Sequence, residues 1–92
     1  MSLLRIEWII PDQSDPDRRI DAVGGDADNF CHILDTAIYN IKYGIHSYYT
    51  IVGLQRVAVE VATRNRREYL KTVADYYEPN NLLSLPHRRW AA

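Results

Sequence analysis

Three histidines (His32, His46, His87), a single cysteine (Cys31) and the cations Arg56, Arg64, Arg66, Arg67 and Lys71 are the side chains here with chemistry to offer. The histidines stand far apart in sequence. No pair has the H-x-x-x-H or H-E-x-x-H spacing that would set two imidazoles on one helix face, so a metal site is not expected. Cys31 has no recognisable base and reads as a small packed residue rather than a nucleophile. Ser14, Ser47 and Ser84 fall in no nucleophile motif. RIDAVGGDAD (19–28) sets two glycines before a helix, as a phosphate loop would. It lacks the P-loop lysine and the G-x-G-x-x-G spacing, and Asp26 and Asp28 would repel phosphate. No catalytic residue, metal or cofactor is expected, and the reading leans away from an enzyme.

Binding offers more. Arg64, Arg66 and Arg67, in RNRR (64–67), with Lys71, form a basic patch that can contact phosphate. The same arginines at an exposed hairpin tip also serve, solvated, to keep a strand edge from pairing. Tyr48 and Tyr49 point to opposite faces of one strand. If one packs under a helix, the other lies on an open face, beside Tyr69. Tyrosine and arginine on an open sheet face suit RNA, and equally a protein interface.

Residues 69–86, YLKTVADYYEPNNLLSLP, pose a different question: paired asparagines followed by three leucines. Asparagine holds irregular loops by bonding to nearby backbone, and leucines after such a loop can fill the end of a core. Asp75, Pro79, Asn80, Asn81, Leu82, Leu83, Leu85 and Pro86 therefore read as a structural clasp, with a ligand pocket as the alternative. In an extended run Leu83 and Leu85 share a face that Leu82 opposes. At least two of the three leucines are expected to be buried, with Asn80 and Asn81 bonded to the 73–79 loop.

Ninety-two residues, 47% of them apolar, make one folded domain with a thin core. The boundaries read as 1–86, with 87–92 (HRRWAA) a flexible tail around Trp90. The net charge of −1 excludes a strongly polycationic nucleic-acid binder. It divides unevenly, −4 over residues 1–46 and +3 over 47–92, which a fold can cancel by bringing the halves together. One cysteine excludes an internal disulfide. Arg5 and Glu7 interrupt the apolar N-terminus, and no run is long enough to span a membrane, so a cytoplasmic setting is expected.

The elements that must position these residues follow from periodicity. Leu4, Ile6, Trp8 and Ile10 alternate as one strand over 3–10. PDQSDPD (11–17) is a turn, Arg18–Val23 a returning strand, and Gly24-Gly25 its stop. Phe30, Ile33, Leu34, Ala37, Ile38 and Ile41 form one helical stripe, giving a helix over 28–43 with Asp26 or Asp28 capping it and Gly44 at its left-handed end. His46–Val52, Arg56–Thr63 and Arg67–Thr72 are strands with a turn at Gly53 and another at Asn65-Arg66. The order is ββαβββ: a two-layer α+β domain with one helix on an antiparallel sheet of about five strands. The helical stripe should pack on Ile6, Trp8, Ile20, Val57, Val59 and Leu70.

RIDAVGG (19–25), AIYNIKYG (37–44), SYYT (47–50), VAVEVAT (57–63) and the 69–86 segment together resemble the small prokaryotic family known as domain of unknown function 3892, over nearly the whole chain. That resemblance implies a domain identity but no activity, substrate or cofactor. Members tend to carry Asn-Gly in the turn where this chain has Asn65-Arg66. The expected role is a non-enzymatic protein-interaction module in a prokaryotic cytosol, with a protein partner or a weak homodimer favoured and no membrane contact. The alternative is a nucleic-acid-associated module using the 64–67 hairpin and exposed tyrosines.

Overall fold

The computed structural model describes residues 2–74 and 80–90. Its described elements are β1 (Ser2–Arg5), β2 (Trp8–Pro11), β3 (Ile20–Gly25), β4 (Phe30–Ile33), α1 (Leu34–Lys42), β5 (His46–Val52), β6 (Gln55–Arg64), β7 (Arg67–Thr72) and α2 (Asn80–Leu83). The α+β class stands, but the expected five strands are seven among the described residues, in two sheets ordered β1-β5-β6-β7 and β2-β3-β4. β1 runs parallel to β5, whereas the other strand pairs are antiparallel, so the all-antiparallel expectation is corrected.

The single N-terminal strand expected over 3–10 is one extended run that changes sheets. Ile6 N–H donates to Tyr49 O (2.8 Å), and the next amide, Glu7 N–H, donates to Gly24 O (2.8 Å). Consecutive amides of a strand point opposite ways, so each sheet takes one. The inward phase slips by one residue at this switch. Ile6 and Ile9 enter the main core, while Trp8 and Ile10 join Ala22 in a separate cluster on the far side of the small sheet. Trp8 was expected under the helix. Its displacement is what a one-residue slip does to an alternating pattern.

Gly24 and Gly25 do not stop β3; the strand runs through them. A Cβ on Gly24 would collide with the Trp8 indole and lie 2.7 Å from Phe30 O; one on Gly25 would run into Arg5 O. Bare backbone here lets the crossing strand and the indole lie close.

The helix starts later than expected, at Leu34 rather than residue 28, because 30–33 pair with β3 as β4. Phe30 and His32 alternate inward against exposed Cys31 and Ile33, so a period-two segment lay hidden inside the helical stripe. Asp26 and Asp28 do not cap the helix. Asn29 N–H donates to Asp26 O (3.2 Å) in a turn where Asn29 is left-handed, and Asp28 accepts Arg5 N–H (3.1 Å). Ile33 precedes α1 without a side-chain cap. At the other end Gly44 takes φ +68°, Gly44 N–H donates to Ile41 O (3.3 Å) and Ile45 N–H to Asn40 O (2.9 Å), the paired bonds of a Schellman close.

The hairpins follow their turn residues. Gly53 alone has positive φ in the β5–β6 turn, while Asn65 (φ +52°) and Arg66 (φ +66°) are both left-handed between β6 and β7. That is the type I′ pattern, which Asn favours and Arg does not. The main core joins Ile6, Ile9, Ile20, Val23, Leu34, Ala37, Ile38, Tyr48, Val59, Leu70 and Leu82, with Val61 packed at its edge. Val57 is half-buried. Of the expected helical stripe, Phe30 is a strand residue packed on that core, and Ile33, on the outer side of β4, is 49% exposed.

Ile38→Ala and Leu82→Ala should each cost about 2–5 kcal/mol in a urea titration, while Ile33→Ala should cost less than about 1 kcal/mol. Equal losses at Ile33 and Ile38 would restore the longer helix. Separately, Arg66→Gly should raise stability by about 0.5–1 kcal/mol, since left-handed backbone strains an L side chain more than glycine's added chain entropy costs. An unchanged or lower urea midpoint would show that the turn is relaxed with arginine.

Candidate functional site

The loop between β2 and β3 is built on its aspartates. Asp12 accepts the amide (3.0 Å) and hydroxyl (2.6 Å) of Ser14, and Asp15 accepts the amides of Asp17 (3.1 Å) and Arg18 (3.0 Å). These local bonds hold an acidic arc in place. The arc faces the basic hairpin: Arg67 bonds Asp15 at 2.6 Å and lies 3.9 Å from Asp17, and Asn65 Nδ2 donates to Asp17 (3.0 Å). The Arg18 amide first, and Arg67 with it, hold the Asp15 carboxyl below its usual range. Lys71, expected in the same patch, bonds Glu60 (2.7 Å) on the neighbouring strand. Arg64 and Arg66 stand exposed at the turn.

The tyrosines divide. Tyr48 is buried in the core, and Tyr49 is half-buried on the opposite face with the Arg56 guanidinium 4.2 Å from its ring centre. Tyr69, expected to be exposed beside Tyr49, is only 4% exposed. It pairs with Ala62 while Tyr49 pairs with Ala58, so four residues of β6, roughly 13 Å, separate them. A second aromatic group was not anticipated. Tyr39 and Tyr43, one helical turn apart on the outer side of α1, pack with ring centres 4.6 Å apart and planes tilted by 37°, and are 54% and 68% exposed. Their i, i+4 spacing was legible in the sequence once α1 was placed. They flank a cleft of about 410 Å³ between α1 and β7 that Arg18, Lys42, Arg67 and Glu68 also line. Arg18 bonds Asp35 (2.6 Å) and Lys42 bonds Glu68 (3.1 Å) across its walls.

The leucine segment is a helical turn, α2, not the extended stretch expected. Leu82 is fully buried in the main core, and Leu83 and Leu85 are half-buried against it. The Asn81 side chain donates to Thr72 Oγ1 (2.8 Å) at the end of β7. Asp75, Pro79 and the Asn80 side chain lie outside what the structure describes. Beyond Pro86 the chain continues along β2: Arg88 N–H donates to Ile9 O (2.8 Å), and Trp90 donates its indole N–H to Asp21.

One polar centre escaped the sequence reading. His32 and His46, which no spacing motif relates, stack with ring centres 5.9 Å apart at 19° because β4 lies over β5. Tyr48 Oη sits 2.8 Å from both His32 Nδ1 and Asn40 Nδ2. Asn40 donates to the phenol oxygen. The arrangement that uses every hydrogen then has Tyr48 donating to a neutral His32. Burial pushes the Tyr48 hydroxyl above its usual range, and burial, then His46, pushes the His32 imidazole below its own. His46 Nδ1 is buried with no hydrogen-bond partner among the described residues. Two histidines make no metal centre by themselves, and among the described residues no three His, Cys, Asp or Glu side chains converge as ligands. The only signal in the sequence was the inward parity of His46 and Tyr48 on one strand; β4, which supplies His32, read as helix.

The depressed His32 value has a definite sign. The unfolded chain takes up a proton near the ordinary value of about 6.5, where the folded chain still resists it. Stability should therefore be full above about pH 6.5 and fall as the pH drops toward the lowered folded value. Melting curves between pH 7.5 and pH 5 should show that fall, and His32→Gln should flatten it. An equal slope in both chains would place the effect elsewhere.

Residues 6–86 match the family model described as protein of unknown function (DUF3892). No curated protein and no solved structure matches the chain. The matched span runs from the crossing at Ile6 through both sheets and α1 to Pro86 at the β2 edge, and on that span the chain belongs to the DUF3892 family.

Proposed function

We propose that this chain is a non-enzymatic protein-interaction module whose contact surface is the α1–β7 cleft with Tyr39 and Tyr43. The exposed tyrosine pair carries this reading: two rigid aromatic rings at 4.6 Å beside a cleft whose charges are already matched within the chain. Aromatic side chains with few unpaired charges around them suit a protein partner or a second copy of this chain. Two of the four cations expected to contact phosphate have acidic neighbours, Arg67 on Asp15 and Lys71 on Glu60. A cytoplasmic setting belongs to the same proposal and rests on the single exposed thiol of Cys31. A prokaryotic source rests on the family resemblance. We assign the 80–86 segment a supporting role, closing the core through Leu82 and the strand end through Asn81.

The full chain and two double variants decide between partners. Tyr39→Ala with Tyr43→Ala should weaken self-association in sedimentation, or capture of a partner protein, by at least about tenfold. Arg64→Ala with Arg66→Ala should leave both unchanged and stability within about 0.5–1 kcal/mol. Binding that survives the tyrosine changes removes this surface. Binding to an RNA oligomer that falls steeply with salt and vanishes in the arginine variant would establish the nucleic-acid alternative.

A further inference from the structure

The described end of the chain adds itself to the open edge of the small sheet. Ile9 N–H donates to Pro86 O (3.0 Å), Arg88 N–H donates to Ile9 O (2.8 Å), and His87 lies parallel to Ile9 between them. Its side chains then read the face beside that edge. The Arg88 guanidinium lies 4.4 Å from the Trp8 ring centre and forks onto both Asp26 oxygens (3.2 and 2.7 Å). Trp8 Nε1 donates to the same carboxylate (3.2 Å), so one acid positions both the indole and the guanidinium that stacks on it. Two residues on, Trp90 donates its indole N–H to Asp21. Beneath this segment lies the small apolar cluster of Trp8, Ile10 and Ala22.

The segment sits on the surface rather than in the fold. His87 to Trp90 are all exposed, and clefts of about 420 and 540 Å³ open on either side of them, one against Leu83 and His87 and the other against Ile10, Asp21 and Trp90. An open strand edge, alternate side chains seated in register and flanking clefts are how a sheet binds an extended peptide. We propose that the β2 edge, with Trp8, Asp21 and Asp26, is a docking site for an extended peptide carrying an arginine and, two residues on, a tryptophan, and that residues 87–90 occupy it in cis as a displaceable strap. Charge complementarity sets the partner's chemistry: two aspartates and an indole face call for a guanidinium to stack and an indole N–H to donate. Lifting the strap uncovers an unpaired Ile9 N–H and C=O beside apolar side chains, an edge that favours being paired again. This site is separate from the tyrosine cleft and does not rest on it.

The test uses the full chain with Arg88→Ala and Trp90→Ala, which loosen the strap, and a fluorescent peptide, LPHRRW, copied from residues 85–90. By fluorescence anisotropy this chain should bind the peptide at least about tenfold more tightly than the unaltered chain, because a tethered strap competes at an effective concentration in the millimolar range. Adding Asp26→Asn, or replacing the peptide's first arginine and its tryptophan by alanine, should lose at least about tenfold. No saturable binding by a loosened chain that still melts cooperatively would overturn the proposal. Equal binding by both chains would overturn the strap. If the loosened chain does not fold, excess peptide added to the unaltered chain must shift the Ile9 amide and Trp8 indole resonances saturably; resonances that stay fixed at millimolar peptide overturn the docking site.

Discussion

The fold turns on one pair of consecutive amides. Ile6 gives its N–H to the large sheet at Tyr49 and Glu7 gives its N–H to the small sheet at Gly24, both at 2.8 Å. The segment from Ser2 to Pro11 thereby belongs to two sheets and joins them. The junction is satisfied on its other side too, because Ile6 O accepts the buried Thr50 hydroxyl (3.0 Å). A buried unpaired carbonyl at this point would cost about 1–3 kcal/mol. Much of the interior follows from the switch: Ile6 and Ile9 on the core side, Trp8 and Ile10 on the other, and bare backbone in β3 at Gly24 against the indole and at Gly25 against the Arg5 carbonyl.

Charge is arranged across the same two-part design. The acidic first half and the basic second half meet at named pairs: Asp15 with Arg67 and Asp26 with Arg88. Exposed pairs of this kind contribute about 0–1 kcal/mol each, so their larger effect is on which surfaces meet. Arg67 closes the hairpin tip against the acidic loop, and Arg88 holds the end of the chain over Trp8. The uneven charge of the sequence is thus spent within the molecule, which leaves aromatic groups such as Tyr39 and Tyr43 as the more conspicuous features of the outer surface.

The polar centre at Tyr48 sits where β4 lies over β5, and its partners come from three elements: His32 from β4, Asn40 from α1 and Tyr48 with His46 from β5. In a low-dielectric setting the hydrogen bonds of Tyr48 to His32 and Asn40 are strengthened, so they tie the helix, the small sheet and the large sheet together at this point. Phe30 packs on the same ring at 5.9 Å, joining the centre to the apolar core.

Local pattern alone determined much of this protein. Alternation over 57–63, the β-branched run from His46, the stripe Leu34–Ala37–Ile38–Ile41 and the left-handed demands at Gly44, Gly53 and Asn65 each name an element or a turn, because each depends only on neighbours in the chain. The 19–25, 37–44 and 69–86 motifs carried the family. Only the tertiary structure decided the rest. Phe30 to Ile33 satisfy helical and strand periods alike, and pairing with β3 selected the strand. The slip between Ile6 and Ile9 breaks no local rule; it exists because two sheets compete for one segment. His32, Asn40, His46 and Tyr48 carry no common spacing, because contact between strands in different sheets leaves no periodicity along the chain.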